Sequence, residues 1–225
     1  MVITVPGHDK HSFDRGSFDI PCIPPHEALH AEFVNTPNLP ELLAERCASG
    51  GLPPMYHEHP VVKASHGTAM PLILYVDGVP VTKTESVLGF WVYNQLTMHR
   101  HLVCALRKSR LCKCGCRGWC TLWCVFHWLH WSFMAMALGE YPNERPDGLP
   151  WHDRQDRDRS VLCGLGLSFV GALVAIKGDW AEYAHTFGMP SWASTLFPCP
   201  QCKCTPERMG EVSSLSPIEF PWDLV

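Results

Sequence analysis

The stretch CKCGCRGWC, residues 112 to 120, constrains this chain more than any other. Cys112, Cys114, Cys116 and Cys120 stand too close together to form a hydrophobic core. They are disulfide partners, metal ligands or free thiols. The N-terminus, MVITVPGHDKHSF, lacks the apolar run of a secretory signal, so a reducing compartment is expected. In such a compartment clustered cysteines read as metal ligands or thiols before disulfides. A second pair, Cys199 and Cys202 in CPQC, has the C-x2-C spacing of structural zinc knuckles. The expectation is one tetrahedral zinc site built from Cys199, Cys202 and two of the 112-to-120 group, with Cys204 and His127 in reserve. The competing reading leaves the thiols without metal. Cys22, Cys47, Cys104 and Cys163 read as isolated, buried small hydrophobes.

Composition narrows the function classes. A formal charge of −4 over 225 residues supplies no global attraction for nucleic acid. Any such contact rests on a local patch, and Arg100, Arg107, Lys108, Arg110, Lys113 and Arg117 offer one. A solvated strand end and loop explains the same residues equally well. The segment GWCTLWCVFHWLHWSFMAMALG is nearly long enough to span a bilayer, but His127 and His130 interrupt it. VLCGLGLSFVGALVAI is too short and too glycine-rich to span. A buried amphipathic helix is the preferred reading of the first segment, and a two-helix membrane protein is the remote alternative.

Residues 1 to 69 are rich in Pro, His and Gly and read as an irregular arm. One short helix is expected there at NLPELLAERCAS, with Asn38 as cap and Gly50-Gly51 as stop. HEH at His57 to His59 can bind metal but reads first as a polar loop. From Met70 the character changes. PLILYVDG, LGFWVYNQLT and RHLVCALRK are strand candidates, with a turn near Met98 and His99. A long apolar helix ends near Gly139. LSFVGALVAIKGDW is a strand ending at Asp179, and WAEYAHTFG is a helix closed by Gly188. Three meandering strands, a helix and a fourth strand imply an α/β domain with a mixed sheet. The fourth strand is expected parallel beside the first.

This order has a chemical consequence. Asp77 and Asp179 then close adjacent parallel strands at one sheet edge, where ligand sites collect. Two such carboxylates can hold divalent cations that clamp a phosphodiester. Taken singly, each aspartate is a turn former, Asp77-Gly78 above all.

PLILYVDGVPVTKTESVLGFWVYNQL resembles the first catalytic strand and following hairpin of the CACTA-type (EnSpm-like) DDE transposases. GDWAEYAHTFGMPSWASTLFPCPQC is similar to their second catalytic segment, with its aspartate, short helix, glycine turn and C-P-x-C knuckle. The likeness covers roughly residues 70 to 204 and rests on these two motifs. It implies a ribonuclease-H-like mixed sheet with flanking helices, a zinc-knuckle insertion and an irregular N-terminal arm. The domains implied are an arm over 1–69, a core with its cysteine cluster over 70–204 and an irregular tail over 205–225. Asp77 and Asp179 correspond to the first two metal-binding acids of the family. The cofactors implied are structural Zn2+ and catalytic Mg2+ or Mn2+. The partner implied is DNA, in the nucleus, with a homo-oligomer open and no membrane.

Two departures qualify the resemblance. The family's third acid lies on a helix well after the knuckle. Here Glu207, Glu211, Glu219 and Asp223 follow in no helical pattern, and Glu182 lies one turn beyond Asp179. The C-x-C-x-C-x3-C insert matches nothing in the wider family. The expectation is therefore a truncated or divergent strand-cleavage core, weak or inactive as it stands. The alternative is a zinc-stabilised binding module without chemistry.

Overall fold

A computed structural model describes residues 1–152, 154, 156–191, 193–196 and 205–208. It divides into two compact units, Met1–Lys177 and Gly178–Val225. The first holds a four-stranded mixed sheet with flanking helices.

That sheet comprises β3 (Met70–Thr82), β4 (Glu85–Asn94), β5 (Arg100–Arg107) and β6 (Gly171–Lys177), in the order β5-β4-β3-β6. The first three form an antiparallel meander, and β6 lies parallel to β3, with Met70 opposite Gly171 and Tyr75 opposite Lys177. Strand order and direction are those expected from the apolar runs. The strand ends differ. Sequence placed the end of the first strand at Asp77-Gly78, yet β3 continues to Thr82, because β-branched Val79, Val81 and Thr82 extend a hairpin with β4. The parallel pairing stops at Tyr75, so Asp77 lies mid-strand, just past its end.

Residues 1 to 69 are built, not irregular. β1 (Val2–His8) and β2 (Arg15–Pro21) form an antiparallel hairpin, with Ile3, Val5 and Ile20 buried. Four helices follow: α1 (Pro25–Asn35), α2 (Leu39–Ala48), α3 (Pro54–Glu58) and α4 (Pro60–Ala64). Each carries proline in its first two positions, where the missing N–H is not needed by the helix. The prolines that suggested an irregular arm are thus helix starts. Only α2 was anticipated, and Asn38 occupies its cap position without a side-chain bond. In the HEH run, His59 caps α4 by accepting from the Val61 N–H at 3.2 Å.

The long helix α5 (Trp119–Leu138) runs as expected to Gly139, whose left-handed φ of 71° ends it. Leu122, Val125, Trp128, Leu129, Ala135 and Met136 are buried at helical spacing, while Trp123, His127, His130, Met134 and Leu138 are exposed. The helix packs on β1, α1 and β6. No described helix is long and apolar enough to cross a membrane. One face of the sheet, with Leu72, Leu74, Val76, Leu88, Phe90 and Val92, forms the core, and Phe90 meets Phe126 of α5 edge to face at 5.9 Å. After α5 comes a long connection with one helical turn, α6 (Arg157–Ser160), tied to α1 by Arg159, which grips the Glu27 carboxylate through Nε at 2.5 Å and a terminal nitrogen at 3.0 Å. Among the described residues, the second unit contains α7 (Trp180–His185) and a 3₁₀ turn, Pro206–Arg208.

His26 couples α1 to α5. Its backbone N–H donates to Ser132 Oγ at 3.0 Å, and its Nδ1 lies 2.8 Å from the same oxygen. Burial pushes the imidazole pKa down to about 4, with Arg159 and His30 adding to the effect and Glu27 opposing it. The unfolded chain binds this proton below the ordinary histidine pKa of about 6.5, whereas the folded chain does not until near 4. Stability contributed by neutral His26 is therefore complete above about 6.5 and lost as pH falls toward 4, a difference of roughly 3 kcal/mol. Urea unfolding at pH 7.5 and pH 5 should show this loss, and His26→Gln should reduce the difference between the two pH values.

Candidate metal centre

Leaving β5, the chain makes a 3₁₀ turn over Lys108–Arg110 and enters the cysteine loop. Gly115 (φ 92°), Arg117 (φ 52°) and Gly118 (φ 90°) curl it back on itself in left-handed conformations. Gly118 N–H donates to the Cys112 carbonyl at 3.1 Å, and Trp119 N–H to the Cys116 carbonyl at 3.0 Å. The curl ends at the N-terminus of α5.

The result is a concave cluster of sulfur. The Sγ atoms of Cys112, Cys114, Cys116 and Cys120 all lie within 4.8 Å of one another, with Cys114 and Cys120 at 3.6 Å. A tetrahedral zinc tetrathiolate with Zn–S near 2.3 Å spaces its sulfurs by about 3.8 Å. A disulfide would require about 2.05 Å. The group can therefore hold a metal ion such as zinc. Cys112 is buried, Cys116 and Cys120 are half-buried, and Cys114 is exposed.

The thiols differ in acidity. Cys120 N–H donates to Cys116 Sγ at 3.4 Å, and this bond, helped by the neighbouring thiols, brings the Cys116 pKa down to about 6. Cys120 is pushed up to about 12 by its hydrogen bond with Cys116 and then by Cys114 and Cys112. Burial raises Cys112. Neighbouring thiols resist joint ionisation, and a bound cation removes that resistance. Cations also surround the loop: Arg107, Lys108, Arg110, Lys113 and Arg117. Arg110 stacks on Phe18 at 4.7 Å and Lys113 on Phe13 at 4.8 Å, so the β1–β2 hairpin holds two of them in place. Their charge complements the net 2− of a zinc tetrathiolate.

Among the described residues the candidate ligands are Cys112, Cys114 and Cys116 of the loop and Cys120 of α5; the spacing had also offered Cys199 and Cys202 for two of the four positions. Cys199, Cys202 and Cys204 lie outside the described residues. His127 is on the exposed face of α5 and is not part of the group. Of the cysteines read as isolated, Cys22 and Cys104 are buried neighbours sharing a hydrogen bond.

The two candidate acids fall in different units. In the first, Asp77 is half-buried, stands opposite Gly89 and accepts at Oδ2 from the Tyr75 hydroxyl at 2.7 Å. Tyr75 and Trp91 face each other across the strand pair, their rings 5.6 Å apart, and Arg100 lies over Tyr75 at 5.1 Å. In the second unit, Asp179 caps α7, accepting at Oδ1 from Glu182 N–H at 2.7 Å. Glu182 is buried there, its carboxylate accepting from the Thr186 hydroxyl. Each aspartate thus accepts one local hydrogen bond, which orients its carboxylate.

A second group of ligand atoms, from Glu32, His99 and His101, went unread in the sequence. Its signal was the His-x-His spacing, which places two imidazoles on one side of a strand. Comparison with family models, with curated proteins and with solved structures gave no match.

Metal analysis of the purified chain should find zinc in the cysteine group. Cys114→Ser changes an exposed thiol outside the core, so it should lower zinc occupancy without altering the circular dichroism spectrum. A strong chelator should lower the wild-type Tm more than that of the variant.

Proposed function

We propose that this chain is a zinc-braced, ribonuclease-H-like core of the CACTA-type DDE transposase kind, which cleaves or transfers DNA strands in the nucleus. The observation that carries this reading is the strand order β5-β4-β3-β6, an antiparallel meander with a parallel strand beside its first member. That order sets β3, the strand bearing Asp77, parallel beside β6, as the resemblance expects of the family's first and fourth strands.

On this reading Asp77 is a ligand of Mg2+ or Mn2+, and by the resemblance Asp179 is the family's second acid. The ion supplies activation of the attacking water or 3′-hydroxyl and neutralises charge on the phosphodiester. The Asp77 carboxylate fits a hard cation that keeps most of its waters. Tyr75 fixes the Asp77 carboxylate through its hydroxyl. Arg100, stacked on Tyr75 and Tyr93, stands on the same aromatic patch and offers a phosphate contact. The cysteine loop, leaving β5 at the sheet edge, braces the sheet when it holds zinc. No residue here matches the family's third acid in its sequence pattern, so activity is expected to be weak.

A second reading, a zinc-stabilised nucleic-acid-binding module without chemistry, is favoured by one observation. From Ser86 to Gly139 no acid occurs, while six Lys and Arg side chains gather between Arg100 and Arg117. Trp119 and Trp123 are exposed just beyond them, a pairing of charge and aromatic surface suited to single strands.

Nicking of supercoiled plasmid by the full chain in Mn2+ or Mg2+ separates the readings. The first expects slow nicking that Asp77→Asn reduces by about 100-fold or more. A chain that binds DNA but nicks in neither ion, or whose nicking ignores Asp77→Asn, leaves only the second.

A further inference from the structure

We propose that Glu32, His99 and His101 form a second metal site, separate from the cysteine group, for a borderline divalent cation such as Zn2+. Their ligand atoms lie within 4.8 Å of one another. His101 Nε2 is 2.5 Å from Glu32 Oε2, and the His99 and His101 rings are 4.6 Å apart. Parting an imidazole nitrogen and a carboxylate oxygen to admit an ion with Zn–N and Zn–O near 2.0–2.2 Å needs movement of about 1 Å or less.

The surroundings hold the three groups in place. Met98, with φ 59°, turns the chain between β4 and β5. Thr97 Oγ1 accepts the His99 N–H at 3.3 Å and donates to Glu32 Oε1 at 2.5 Å. One hydroxyl therefore sets both the backbone of one ligand and the carboxylate of another, the outer-shell bonding that metal-binding carboxylates need. His99 and His101 alternate on β5 and its lead-in, so both face the same side. The residue between them, Arg100, lies over Tyr75 and Tyr93. Glu32 is only 8% exposed, and its recorded ion partner is an imidazole rather than Lys or Arg. A buried carboxylate answered by imidazole gains from a shared cation. β5 is the edge strand of the sheet and His99 is exposed, so ion and water can reach the site. Two imidazoles and one carboxylate select Zn2+, Ni2+, Co2+ or Cu2+ over Mg2+ and Ca2+, and three protein ligands leave a position for water.

The test is a zinc count on the full chain after equilibrium dialysis, for wild type, His99→Ala and Glu32→Gln. Each variant is expected to hold one equivalent less than wild type. After Co2+ substitution, the thiolate-to-metal absorption of the cysteine group is expected to stay unchanged. Equal zinc counts in wild type and His99→Ala overturn the proposal. So does a loss in His99→Ala that takes the thiolate absorption with it. His99 is on the surface, so His99→Ala decides the matter alone if Glu32→Gln fails to fold.

Discussion

One hydroxyl joins the parts of this molecule that sequence keeps far apart. Thr121 Oγ1, in the first turn of α5, accepts the Cys112 N–H at 2.9 Å and donates to the Pro6 carbonyl at 2.6 Å. Helix, cysteine loop and N-terminal hairpin thus meet at a single buried atom. A second bond beside it, from Lys113 N–H to His8 Nδ1 at 2.9 Å, repeats the link between hairpin and loop. Gly7 is required at this crossing, because a Cβ there would run into the Arg110 carbonyl oxygen. Bonds like these are worth most where water is excluded, and they strengthen one another when chained. The curl of the thiol loop therefore depends on an N-terminal segment more than a hundred residues earlier.

That dependence explains what could and could not be read from the residues. The four sheet strands were legible because β3, β4, β5 and β6 are runs of apolar residues bounded by polar or glycine breaks. The helix α5 was legible because its apolar residues recur at helical spacing up to Gly139. The N-terminal hairpin was not, because its strands carry Pro6, Gly7 and Gly16, which weaken any local strand signal. It exists because Ile3 and Val5 bury against α5 and because pairing with Arg15–Pro21 satisfies its backbone. The prolines of residues 25 to 60 misled for a related reason. Proline breaks a helix only in the interior, and here Pro25, Pro40, Pro54 and Pro60 sit in the first two positions of their helices. The extension of β3 beyond Asp77 was hidden by the Asp-Gly pair, a strong turn signal that hairpin pairing overrides.

The metal groups show the same division. Four cysteines within one loop could be recognised as ligands from spacing alone, since their closeness in space follows from their closeness in sequence. Which of them act together could not, because that depends on three left-handed residues and on Thr121. The group of Glu32, His99 and His101 joins residues about seventy positions apart. Only the packing of α1 against β5 brings a helical carboxylate to a strand's imidazoles. His99 and His101 carried a local hint, and Glu32 carried none.

The parallel partnership of β3 and β6 has a bearing on how the protein comes to be. Met70 and Gly171 are neighbours in the sheet but roughly a hundred residues apart in the chain, so closing this pair is entropically late. During synthesis the meander and α5 leave the ribosome before β6 exists. In that interval the flank of Met70–Tyr75, six consecutive residues of which five are large and apolar, has no strand beside it. The Met70 N–H, which later meets the Val170 carbonyl at 2.8 Å, then stands on an open flank, while Pro71 turns its carbonyl the other way, to Gln95 after β4. The growing polypeptide thus carries an exposed template for strand addition until β6 arrives to cover it.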